Sequence, residues 1–165
     1  MLFRSSQPWK FVVVRQKNAE LAKLAYGSNY DQVMEAPVTI ALFTDTDLQK
    51  RARKIARVGG VKNFTDEQLQ YFMQNLPAEF ARYDAQQTSD YLALNAGLVA
   101  MNLVLALTDQ GIGTNIILGF DKSKINEVLD IEERFRPEVL ITVGYAAEKV
   151  EPSYRLPVDE IIDKC

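Results

Sequence analysis

The chain has 165 residues, 47% of them hydrophobic, a formal charge of −3 and a pI near 5.1. That supports one domain, residues 1–165, with its own core, and no basic stripe suggests a nucleic-acid partner. Histidine is absent and the single cysteine is Cys165, which excludes histidine-based acid–base catalysis, an intramolecular disulfide and a cysteine- or histidine-based zinc site; chemistry is left to carboxylates, lysines, backbone amides or a bound cofactor.

The first informative stretch is Ser5-Ser6-Gln7-Pro8-Trp9-Lys10-Phe11-Val12-Val13-Val14. A polar cluster ends in a Gln-Pro-Trp corner and runs into β-branched residues, so Trp9–Val14 reads as a buried strand started by Pro8. Polar groups at the mouth of a buried strand suggest a binding site. Their place at residue 5 suggests that a further segment normally precedes them. Asn18 is expected to cap a helix over 19–26, which Gly27 ends. Residues 37–44 read as a second strand, apolar enough to be buried on both faces. Asp45 or Asp47 caps the next helix, which carries Lys50, Arg51, Arg53, Lys54 and Arg57 and is broken by Gly59-Gly60. Those charges read as a solvated face. Thr65 and Gln68 have capping-box spacing and open a helix to about Asn75, and Pro77 starts another.

The longest helical stretch is 89–109. Its apolar part, 91–107, is short for a membrane span and interrupted by Asn95 and Asn102, so a buried core or dimer helix is expected and no membrane. Ala93, Ala96, Gly97 and Ala100 recur at spacings that permit close helix contact, and Gly111-Ile112-Gly113 closes the helix. Residues 115–118 are extended, Asp121 is expected to cap 122–129, and 138–144 form a third strong strand. The tail carries Pro152, Arg155 and Pro157 before a short amphipathic piece at 158–162. Interspersed helices and strands point to an α+β domain with a sheet sandwiched between helices. The start, Met1-Leu2-Phe3-Arg4, lacks the apolar run of a secretory leader, and a cytoplasmic protein is expected.

Four separated features line up along this order: SSQPWKFVVV at the start; Asn29-Tyr30-Asp31-Gln32-Val33-Met34-Glu35-Ala36-Pro37; Gly111-Ile112-Gly113-Thr114-Asn115-Ile116-Ile117-Leu118-Gly119-Phe120; and Gly144-Tyr145 followed by Arg155-Leu156-Pro157. Together they resemble the nitroreductase family of flavin-dependent oxidoreductases, over essentially the whole chain. The resemblance implies an α+β nitroreductase-like fold, with a mostly antiparallel central sheet flanked by helices and a long central dimer helix. It also implies an obligate homodimer with FMN at the interface, bound by both subunits. Members take hydride from NADH or NADPH at flavin N5 and pass it to nitroaromatics, quinones or similar small acceptors. No side chain need act as acid or base in such a scheme, which suits a chain without histidine.

Carried over residue by residue, Gln7 matches the Gln of the family's Ser-x-x-Asn-x-Gln-Pro-Trp pattern, which contributes to the partner subunit's flavin site. Ser5 stands where the family usually has Asn, and Ser6 is the variable residue between them. Asn29 and Gln32 match a polar pair that reaches the flavin ring, although the second position is often Lys. Leu118 and Gly119 match the segment whose backbone approaches flavin N5; Leu118 stands where Glu is common, and a residue without Cβ lets the main chain come close to a flat ligand. Arg155 matches the cation that grips the FMN phosphate, a task suited to a forked guanidinium. The family's preceding segment, with its Arg-rich phosphate turn, has no counterpart, which leaves Arg155 with Arg4 or Lys149.

Plainer roles stay open for each residue: Gln7 capping the strand corner, Asn29 and Gln32 solvated on a helix, Gly119 in a turn, Arg155 paired with Asp159 or Glu160. Phe64, Tyr71, Phe72, Phe80 and Tyr83 fall in the segment resembling the family's variable region over the flavin, where they would stack on an acceptor or simply form core. Two alternatives to the enzyme also stay open. One is an N-terminally truncated family member that dimerises but binds flavin weakly and is catalytically silent. The other is a flavin carrier or sensor.

Overall fold

The computed structural model describes residues 6–16, 18–61, 64–147 and 154–163. Strands β1 (Trp9–Val14), β2 (Val38–Asp45), β3 (Gly113–Ile117) and β4 (Phe135–Gly144) form one sheet in the order β1-β2-β4-β3, antiparallel at every pairing. The two central strands are those with near-continuous apolar sequence, because helices cover both of their faces. On one face Ala41, Phe43 and Leu140 pack with Leu21, Ala22 and Ile125, from α1 (Asn18–Ala22) and α7 (Ile125–Leu129). On the other, Leu42 and Ile141 pack under Ala96 and Ala100 of α6 (Ala85–Asp109). The expected α+β fold with a helix-flanked antiparallel sheet is therefore observed. A separate helical core forms beside the sheet, where Leu48, Ala52 and Ala56 of α3 (Leu48–Val61) meet Phe72, Leu76, Phe80 and Leu92.

Several local expectations are corrected. The strand at 9–14 is not buried but an edge strand: Phe11 and Val13 are exposed while Val14 is buried, because the helix layer on one face stops short of β1. The helix at 19–26 is the single turn of α1. Asn18 does not cap it from outside but lies within it, spending its amide on Ala36 O at 2.6 Å. The chain then turns through Gly27 (φ +58°) into α2 (Asn29–Glu35). Gly59-Gly60 does not break α3, which continues to Val61, since backbone entropy disfavours glycine in a helix without forbidding it. Asp47 caps α3 as expected, accepting from Lys50 N at 2.9 Å.

Thr65 and Gln68 form the expected reciprocal capping box on α4 (Asp66–Gln70). The helix does not stop near Asn75, however. It widens into a π turn over Tyr71–Asn75, in which Leu76 N–H reaches Tyr71 O, and continues as α5 (Leu76–Phe80). Pro77 lacks an N–H and would crowd the carbonyl four residues back; the wider turn accommodates both. The long helix α6 starts four residues before the expected position, at a second capping box made by Asp84 and Gln87. It closes at Gly111 (φ +73°), with Ile112 N–H on Leu107 O and Gly111 N–H on Thr108 O. Among the described residues α6 is the one helix long and apolar enough to cross a membrane.

β2 and β4 change register between Leu42 and Phe43, which pair with Val139 and Pro137 and leave Glu138 as the extra residue. Its carboxylate is buried, and Oε1 accepts from Thr44 Oγ1 at 2.5 Å and from Arg136 at 2.7 and 2.8 Å. Arg136 also donates to Ser89 Oγ and Ser89 O, which ties the start of α6 to the sheet. At the far end of β4 a Cβ on Gly144 would lie 2.9 Å from Pro37 Cγ and 3.0 Å from its Cδ. A proline ring cannot rotate away. Gly144→Ala is therefore expected to lose about 1–3 kcal/mol of stability by overpacking, a fall in Tm of roughly 2–12 °C, measurable by thermal denaturation followed by circular dichroism.

Candidate functional site

α2 lies beside β3 and is tied once to the strand and once to the loop just past its end. Asn29 Nδ2 donates to Gly119 O at 3.2 Å, and Asn115 Nδ2 donates to Gln32 Oε1. Asn29 and Gln32 sit three residues apart and share a helix face, so the helix runs antiparallel to the strand. Gly119 O also accepts from Tyr26 N–H at 2.9 Å, and Ala25 bridges to Phe120. The apolar half of this junction, Leu24, Ala25, Val33, Ile117 and Phe120, is buried in the core. The polar half faces outward: Asn29 is half-buried, and Gln32 and Asn115 are exposed.

These bonds leave a defined set of groups unspent. No described group donates to Asn29 Oδ1, and no described group accepts from Gln32 Nε2. One acceptor and one donor thus project from neighbouring turns of α2. A Cβ on Gly119 would lie 3.0 Å from Asn29 Nδ2, so any side chain there would push the Asn29 amide aside. Leu118, its neighbour, is exposed. Beyond Gln32 the surface continues as an open trough of about 510 Å³ lined by Pro37, Thr114, Thr142, Gly144 and Tyr145, within the size range of small-molecule sites. Just past Gly119, Asp121 accepts from Ser123 Oγ at 2.6 Å and Ser123 N at 3.0 Å. These bonds hold its carboxyl below the usual carboxylate range. Asp121 therefore shapes a turn instead of capping 122–129, and α7 begins only at Ile125.

The N-terminal corner is a second constellation. Ser6 is fully buried and its hydroxyl lies 2.9 Å from Tyr91 OH, across to α6. Gln7 is exposed and has φ +42°. Arg51 Nε donates to Gln7 O at 2.8 Å and Nη2 to Trp9 O at 3.1 Å, while Asp45 N–H donates to Pro8 O at 2.6 Å. Ser5, with Arg4 and Lys149, lies outside the described residues.

Arg155 is exposed, and its Nη1 donates to Tyr154 O at 2.8 Å. Among the described residues no ion pair engages it, so it is not paired with Asp159 or Glu160. Within one protomer the structure therefore joins Asn29, Gln32, Leu118 and Gly119 into one rim, and places Ser6 and Gln7 in a separate corner. Among the described residues Arg155 bonds to Tyr154 O and to none of the rim residues. The aromatic segment is mostly core. Phe72 and Phe80 are buried, Phe64 stacks on Phe72, and Phe80, Tyr83 and Tyr91 contact one another. Burial first, then the neighbouring Glu79, raises the Tyr83 hydroxyl above its usual pKa.

Sequence reasoning missed Asn115, Arg51 and Tyr91. Asn115 is the polar residue in an otherwise apolar run, which was a usable signal. Arg51 precedes Ile55 by four residues and follows Leu48 by three. That spacing puts it on the border of the buried stripe.

A model of the nitroreductase family matches residues 4–145. A curated protein of Streptococcus pyogenes serotype M6, named "Putative NAD(P)H nitroreductase Spy0809", is 62% identical over 158 residues, covering 96% of this chain and 78% of the relative. The crystal structure of a nitroreductase family protein from Streptococcus pneumoniae TIGR4 is 86% identical, with a TM-score of 0.94 over 96% of this chain and 80% of that one. A solved structure from Exiguobacterium sibiricum 255-15, described as "a putative nitroreductase in complex with FMN", is 29% identical, with a TM-score of 0.87 over 96% of this chain and 77% of that one. On its sequence and on its fold, the chain belongs to the nitroreductase family.

Proposed function

We propose that the chain is a single-domain, cytoplasmic FMN oxidoreductase that works as a homodimer. It passes hydride from NADH or NADPH to nitroaromatic, quinone or similar small acceptors. The observation that carries this reading is the rim built by Asn29, Gln32 and the bare Gly119. A flavin's pyrimidinedione edge presents one N–H donor flanked by two carbonyl acceptors. Asn29 Oδ1 and Gln32 Nε2 offer the complementary acceptor and donor, and Gly119 leaves main chain open to a flat ring. The residues present fit the cofactor. FMN, when bound, supplies the hydride chemistry. The chain's own groups hold and orient it: the amides on its polar edge, the Leu118–Gly119 backbone beside it, and Arg155 on its phosphate. The FMN complex of the Exiguobacterium relative supports the same reading.

A second copy supports it further. Leu94, Leu98, Met101 and Leu105 are exposed on α6, at alternating spacings of four and three that place them in one stripe. Tyr154, Leu156, Val158, Ile161 and Ile162 of the tail are exposed as well. An apolar surface of this kind calls for a partner, and a second copy would cover the stripe and place Gln7 and Arg155 against the other protomer's rim. Packing of Ala96 and Ala100 on the sheet favours this role for α6 over a membrane span.

The test is the purified protein's visible spectrum. A yellow protein bleached by NADH or NADPH supports the enzyme. A yellow protein that neither nicotinamide bleaches indicates a carrier, and a colourless protein that takes up no added FMN overturns the reading. Arg155→Ala is expected to weaken FMN binding at least tenfold, since a charged hydrogen bond contributes about 1.5–3 kcal/mol. Titration of flavin fluorescence measures it, and unchanged affinity removes Arg155 from the site.

A further inference from the structure

We infer that Arg51 is a positioning residue for the flavin site, holding the Ser6–Trp9 corner in the shape that presents Gln7. The inference rests on the proposed function, in that the corner is taken to face a flavin in the partner subunit. It starts from a strained backbone. Gln7 has φ +42°, a region that side-chain-bearing residues avoid, and it precedes Pro8, whose ring further restricts the residue before it to extended conformations. Such a conformation persists only where its surroundings over-determine it.

The surroundings do so here. The carbonyls of Gln7, Pro8 and Trp9 each accept a hydrogen bond from the β2–α3 region, and the Ser6 hydroxyl pairs with Tyr91. One side chain supplies two of these bonds: Arg51 spans Gln7 O at 2.8 Å and Trp9 O at 3.1 Å. The basic residues around it on α3, Lys50, Arg53, Lys54 and Arg57, are exposed, whereas Arg51 is half-buried. It is thus set apart from a solvated charged face. A guanidinium holds two acceptors two residues apart in one rigid plane, which a lysine ammonium on a flexible stem does not.

The experiment compares wild-type protein with Arg51→Ala, Arg51→Lys, Gln7→Ala and the Gln7→Ala/Arg51→Ala double variant. FMN dissociation constants come from flavin fluorescence, and amide hydrogen exchange of Ser6, Gln7 and Trp9 is followed without flavin. Arg51→Ala is expected to weaken FMN binding about tenfold and to speed exchange in the corner while the sheet stays protected. Arg51→Lys is expected to fall between it and wild type, which keeps the test open if the alanine variant folds poorly. The double variant is expected to bind no worse than the weaker single variant, because both changes remove one arrangement. Wild-type affinity in Arg51→Ala, or additive losses in the double variant, overturns this inference alone. Wild-type protein that takes up no FMN overturns the functional reading and this inference with it.

Discussion

Gly119→Val is expected to abolish FMN binding while the fold survives. A Cβ at this position would lie 3.0 Å from Asn29 Nδ2 and 3.9 Å from Tyr26 Cδ2. The branched valine must therefore push Asn29 aside, break its bond to Gly119 O, and place methyl groups where the flavin would meet bare backbone. Gly119 is not among the residues with positive φ, so the substitution strains no left-handed conformation, and the atom displaced ends a flexible side chain. The stability cost is about 1 kcal/mol, or roughly 2–4 °C in Tm. The expected loss in FMN affinity is at least 100-fold, about 2.7 kcal/mol. Equilibrium titration with FMN, alongside a melting curve, separates the two effects. Normal FMN binding by the variant would put the ring elsewhere on the protein.

Leu98→Asp is expected to convert the proposed dimer into monomers and to lose the flavin with it. Leu98 is 64% exposed at the middle of the α6 stripe, with Leu94 and Met101 on either side and Gly97 in open space beside it. Within one protomer the change removes almost no packing, so the monomer should fold. In a two-fold interface the substitution occurs twice. Losing the burial of two leucines costs about 3–6 kcal/mol at about 1.5–3 kcal/mol each, which is roughly two to four decades in the dimer dissociation constant, before any penalty for burying charge. Sedimentation velocity reads the mass and the visible spectrum reads the flavin. A variant that remains dimeric shows that the stripe lies outside the interface. A monomeric variant that keeps its flavin shows that one protomer suffices for the site.

The rim came through the family resemblance, not through residue type: Asn29 and Gln32 lie in a polar turn that by itself reads equally well as solvated helix, and only the fold ties Asn29 to Gly119 and Gln32 to Asn115. The corner was legible only as a location. That Ser6 is fully buried against Tyr91 depends on a contact spanning 85 positions, and local pattern carries no information at that distance. Arg51 was hidden for a related reason. In a run containing Lys50, Arg53 and Lys54 its charge looks like the others, and only the packing of α3 against the corner turns it inward. Phe72 and Phe80 show the reverse case. Their chemistry suits stacking on a ligand, but the helical core beside the sheet consumes them.

By itself the amino-acid order determined what local physics can set: which stretches are apolar enough to lie at the centre of a sheet, where helices acquire caps at Asp47 and Thr65, and where Gly111 turns the chain out of its longest helix. Tertiary structure decided what depends on covering. It made β1 an edge, opened the π turn before Pro77, buried Glu138 at a bulge, and left one face of α6 bare. Whether a side chain is core, rim or interface depends on which distant surface reaches it, and that is settled only when the sheet and its helices pack together.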